Sequence, residues 1–77
     1  QLKPIKDLKQ AISINDKIMF IKEIFANDVD KYNATLTDIN SCQNLDEALE
    51  ILEQKLVINS ENPVMQQMLE LIYRRYM

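Results

Sequence analysis

The stretch Ser13-Ile-Asn-Asp-Lys-Ile-Met-Phe-Ile-Lys-Glu-Ile-Phe-Ala26 decides the fold class. Ile14, Ile18, Ile21 and Phe25 recur every three or four residues, the spacing of one helix face, and Phe20 and Ile24 widen the stripe. Ser13 reads as an N-cap with Asp16 three residues on, an acidic variant of the capping box. The spacing predicts a helix from there to Ala26. A stripe this broad can face a core on two sides, so this helix is expected to be the centre of the domain.

The same period extends in both directions. Ahead of it, a loose start over Gln1–Pro4 leads into Ile5–Ile12, enough for about two helical turns. Behind it, Asn27 or Asp28 caps a helix over Val29–Ser41, with Val29, Tyr32, Leu36 and Ile39 facing inward. Asn44 with Glu47 marks the start of another helix, Leu45–Val57, whose seam is Leu45, Ala48, Leu49, Leu52 and Leu56. Asn59–Asn62 is a turn, and Pro63 opens a closing helix through Tyr76. There Val64, Met68, Leu71, Ile72 and Tyr76 face inward, with Met65 and Leu69 beside them. The expected architecture is all-α: one compact orthogonal or bundle-like domain over residues 1–77, with four main helices and a short N-terminal one.

Composition agrees. Seventy-seven residues make one domain, 47% hydrophobic and 27% charged, which argues against disorder. A domain this small buries only roughly 60% of the surface that its unfolded chain exposes. There is no glycine, the residue that usually supplies the positive φ of tight β-turns, so an all-β fold is disfavoured. Asparagine is the next most tolerant residue, and Asn27, Asn40, Asn44, Asn59 and Asn62 stand at the expected breaks.

Cys42 is the single cysteine and there is no histidine, so an internal disulfide and the usual zinc and Cys–His pairings are out of reach. An unpaired thiol suits a reducing compartment, and a cytoplasmic location is expected. No apolar run approaches the ~20 residues of a membrane span. The chain begins with Gln1, which is read as the mark of a fragment, the C-terminal part of a longer protein.

Charge is uneven. Residues 1–26 carry five lysines against three acids, and residues 27–77 carry four bases against nine acids, giving +2 and −5 within the total of −3. The plain reading is solvated faces attracting one another within the fold. The sharper one is complementary patches that steer a partner or a second copy.

Candidate chemistry is sparse. Asp28-Val-Asp30 opens like a calcium loop, but Asn33 replaces the glycine at the sixth position and Ile39 the glutamate at the twelfth. Asp46, Glu47, Glu50 and Glu53 lie opposite the leucine seam, where water levels their pKa values. No glycine-rich loop offers a phosphate cradle. Asn33-Ala34-Thr35 matches a glycosylation acceptor, but inside an expected helix it is read as chance. Enzymatic activity, cofactors and metals are therefore not expected. Nucleic-acid binding is the alternative reading, resting on Lys3, Lys6, Lys9, Lys17 and Lys22, but the sequence pI is about 4.8 and Leu45–Val57 would present carboxylates to phosphates.

The favoured expectation is a protein-interaction or structural assembly module. Met65, Leu69, Tyr73, Tyr76 and Met77 make the closing helix apolar over more of its circumference than a core needs. A protein partner or a second copy, as a homodimer through this helix, would cover the excess.

The run Asp7-Leu-Lys-Gln-Ala-Ile-Ser-Ile-Asn-Asp-Lys-Ile-Met-Phe-Ile-Lys-Glu-Ile-Phe25, with Tyr32-Asn33, Leu45-Asp-Glu-Ala-Leu49 and Arg74-Arg-Tyr76, resembles an uncharacterised family of short C-terminal all-helical domains in bacterial proteins. The likeness spans most of the chain. It implies a helical fold and a place in a longer protein, and carries no assigned activity.

Overall fold

A computed structural model describes residues 2–77, and the loose start expected at Gln1 lies outside them. The chain forms α1 (Leu8–Ala11), α2 (Ile14–Glu23), α3 (Val29–Asn40), α4 (Leu45–Lys55) and α5 (Pro63–Arg75), with no strand among the described residues. This is the expected all-α, bundle-like fold, within 28 × 25 × 24 Å.

Each helix starts where a short polar side chain can accept from its first free N–H groups. Ser13 accepts from Asp16 N at 3.1 Å, Asp28 from Lys31 N at 2.9 Å, and Asn44 from Glu47 N at 2.9 Å. Asn62 accepts from both Val64 N at 2.8 Å and Met65 N at 3.3 Å, with Pro63 just inside the helix. The helix expected over Ile5–Ile12 is only a single turn. Its N-terminal part is instead extended and tied to α5: Ile5 N donates to Arg74 O at 3.0 Å and Arg74 Nε to Lys3 O at 2.9 Å.

The asparagines at the breaks work mainly through their side chains. Positive φ occurs only at Ala26 (51°) and Asn27 (65°) among the described residues. These two turn the chain after α2, and Asn27 N donates back to Ile21 O at 2.9 Å. Asn44 and Asn62 are caps, and Asn59 accepts from Glu61 N at 3.1 Å in an Asx turn.

The core is built on α3 and α5. α3 packs most closely on α4, where the fully buried Ala48 lets the two backbones approach. α5 meets α1, α2 and α4, and presents Met65, Met68 and Ile72 inward. Phe25 meets Tyr32 edge-to-face at 5.4 Å between ring centroids.

Two expectations about faces are corrected. α2 is not central: it packs chiefly on α5, and Phe20 is its one fully buried side chain. Ile14 and Ile18, placed on its inward stripe, are 76% and 60% exposed. On α3, Val29 is exposed and Thr35 takes the buried position. The reason is common to both. Helical spacing shows which side chains share a face, but tertiary packing decides how far around the helix the covered arc extends.

Candidate functional site

α4 and α5 diverge along one side to leave an open groove of about 420 Å³, lined by Leu45 and Leu49 from α4 and by Leu69, Tyr73, Gln66 and Glu70 from α5. The inward faces of these helices, Ala48 and Leu52 against Met65, Met68 and Ile72, are consumed by the core. Leu45, Leu49 and Leu69 sit one step round from those faces and are only half-buried. Tyr73, a turn beyond Leu69, is 50% exposed.

The rims carry carboxylates. Glu70 lines the groove on α5, and helical spacing sets the exposed Asp46 and Glu53 beside Leu45 and Leu49 on α4. None of the three has an ion-pair partner among the described residues, where the one pair is Lys55 with Asp38 at 3.6 Å. An apolar trough between unpaired acids favours apolar surface with cationic edges.

The residues expected to form an interaction surface divide. Leu69 and Tyr73 line the groove. Met77 is exposed beyond the end of α5. Tyr76 is half-buried, its hydroxyl donating to Ile39 O. Met65 is only 4% exposed and belongs to the interior, because residues 65, 68 and 72 share the helix face that meets the core.

A polar clamp sits where the ends of α3 and α5 meet the start of α1. Asn40 Oδ1 accepts from Leu8 N at 3.0 Å and from Arg75 Nε at 3.1 Å, while its Nδ2 donates to Asp7 at 3.4 Å. Arg75 Nη2 reaches the Asn40 carbonyl at 3.0 Å, and its guanidinium lies 5.0 Å from the centre of the Tyr76 ring. Sequence reading placed Asn40 at a break; that it would meet Arg75 depends on tertiary packing.

The titratable groups with perturbed pKa values lie away from the groove. Burial pushes the Tyr32 hydroxyl up to about 12. Burial also raises the Cys42 thiol, helped by the Glu47 and Asp38 carboxylates, and its Sγ donates to Asp38 O at 3.3 Å. Burial likewise raises Tyr76. All three are held in their neutral, less nucleophilic forms. Asp28 of the calcium-like run caps α3, and Thr35 of the glycosylation-like triplet is fully buried. A second, shallower concavity near Lys3, Lys6 and Arg74 also contains Asp7. No helix is long and apolar enough to cross a membrane among the described residues.

No curated protein and no solved structure matches the chain. A family model described as a domain of unknown function (DUF8457) matches residues 9–77, nearly the whole chain, and the protein belongs to that family.

Proposed function

We propose that this domain is a non-catalytic protein-interaction module whose α4–α5 groove receives an amphipathic, basic helix. The observation that carries this reading is the groove itself: Leu45, Leu49, Leu69 and Tyr73 between the unpaired carboxylates of Asp46, Glu53 and Glu70. A helix laid in such a trough buries one apolar stripe and brings lysines or arginines on its flanks against both rims. Support for a non-catalytic role comes from the lining, where Glu70 and Tyr73 are the only titratable groups and neither is brought against a nucleophile or base. The unpaired, protonated Cys42 is compatible with a reducing, cytoplasmic setting.

The test is an NMR titration with a synthetic helical peptide carrying leucines on one face and lysines on its flanks. Amide shifts are expected along the facing sides of α4 and α5, weakening as salt is raised. The same peptide with glutamates for lysines is expected to bind at least about tenfold more weakly. Absence of binding at millimolar peptide, or shifts confined to the concavity near Lys3 and Lys6, would refute the reading. A DNA duplex used in the same titration distinguishes nucleic-acid binding, for which the acidic rims are repulsive.

A further inference from the structure

The groove has a counterpart on the other half of the chain. Ile14 and Ile18 form an exposed ridge along α2, and the half-buried Ile21, which packs partly on the core, stands at its end. Helical spacing puts Lys17 along one edge of this ridge and Lys22 along the other. Neither lysine has an ion-pair partner among the described residues. The ridge is an apolar strip with cationic margins, and the groove is an apolar trough with anionic rims. The ridge lies in the half of the chain with net charge +2, residues 1–26, and the trough in the half with −5, residues 27–77.

We infer that the occupant of the groove is a second copy of this chain, which inserts the Ile14–Ile18–Ile21 ridge of its α2 between α4 and α5 of the first. This deepens the groove reading above and rests on it. Ridge and groove are different surfaces, so the contact is heterologous: each copy offers one donor face and one acceptor face, and association proceeds head to tail. The ridge presents few anchors, so the contact is smaller than a standard interface and its affinity is about micromolar or weaker. Opposite charges along both margins fix the register and raise the encounter rate.

Complementation between two defective variants tests the geometry. Ile18→Glu places an acid on the ridge, facing acidic rims, and leaves the groove intact. Glu70→Lys combined with Tyr73→Lys spoils the groove and leaves the ridge intact. All three positions are exposed, so both variants are expected to keep the parent's circular dichroism, which is checked first.

Sedimentation equilibrium of the parent is expected to show weight-average mass rising with concentration up to about 1 mM. Each variant alone is expected to lose at least about tenfold in association constant. An equimolar mixture is expected to form a dimer and stop there, since the groove variant's intact ridge fills the other's intact groove and no further site remains.

A parent that stays monomeric at this concentration, a variant that associates like the parent, or a mixture that remains monomeric would overturn the inference. If the lysine-flanked peptide still binds along α4 and α5 in that event, the groove reading survives and only its occupant is wrong. If the peptide also fails, both fall.

Discussion

Replacing Asn40 with alanine removes a side chain that joins three helices, and its cost can be worked from the contacts. The change leaves Leu8 N and Arg75 Nε, at 3.0 and 3.1 Å from Oδ1, without their acceptor. The longer bond to Asp7, at 3.4 Å, adds little. A neutral hydrogen bond contributes about 1 kcal/mol net and one to a charged group about 1.5–3 kcal/mol. The site is part-buried, so water replaces some of the loss and the lower end applies. Alanine also returns about 0.5 kcal/mol of helix propensity at the end of α3. The expected destabilisation is about 2 kcal/mol, which for a domain of this size lowers Tm by about 8–16 °C. Thermal and urea unfolding followed by circular dichroism at constant pH measure it, with an unchanged m-value confirming that the folded and unfolded states are the same. Arg75→Met, which keeps the stem and removes the guanidinium, completes a double-mutant cycle with an expected coupling of about 1 kcal/mol. An Asn40→Ala variant within about 0.5 kcal/mol of the parent, or a coupling near zero, would show that the clamp does not hold the helices together.

The buried Thr35 hydroxyl makes no hydrogen bond, so Thr35→Val is expected to stabilise the domain by about 1 kcal/mol in urea unfolding, and a loss of stability would mean that the hydroxyl is paired. Ala26 is held at φ 51°, where its Cβ is strained, so Ala26→Gly is expected to be neutral or stabilising by up to about 1 kcal/mol, against the clear loss expected of a helical alanine. Tyr32 ionises near pH 10 when unfolded and at about 12 when folded, so the unfolded state releases its proton first; stability from this group is intact below pH 10 and falls as pH rises toward 12, which alkaline urea titrations check and Tyr32→Phe should diminish. Native-state hydrogen exchange is expected to show α2 opening at lower free energy than α3, because α2 buries Phe20 fully whereas α3 buries Tyr32, Thr35, Leu36 and Ile39; equal protection would contradict this.

Helix boundaries are local chemistry, and they were legible. Ser13, Asp28, Asn44 and Asn62 all cap helices within a residue of the expected starts. The period of the apolar residues excludes a sheet, and the order of caps and turns gives five helices. The first helix was over-extended because Ile5 prefers a long-range bond to Arg74 O over a local turn, a contact between residues far apart in sequence. Asn40 shows the same limit. Its spacing marks a helix end, but its partners Leu8 and Arg75 become neighbours only after α1 and α5 dock.

The two surfaces proposed to meet expose a deeper ambiguity. Hydropathy spacing records that a face is to be removed from water, and it is silent about whose atoms will cover it. Ile14 and Ile18 carry the same inward signature as Phe20 and Phe25, yet the fold buries both phenylalanines, Phe25 against Tyr32 of α3, and leaves the isoleucines open. Leu45 and Leu49 read as core seam, yet the core is closed by Ala48, Leu52, Met65, Met68 and Ile72, leaving these two with Leu69 along an open trough. In a chain this short, isoleucines exposed on one helix are apolar area withheld from a thin stability margin. Withholding it alone would favour nonspecific association, but the ridge carries Lys17 and Lys22 and the trough carries Asp46, Glu53 and Glu70. Like margins repel ridge from ridge and trough from trough, whereas ridge and trough attract. Charge therefore supplies the selectivity that greasy surface lacks, and it does so in the same residues that a composition count spreads over the chain as an unremarkable net −3.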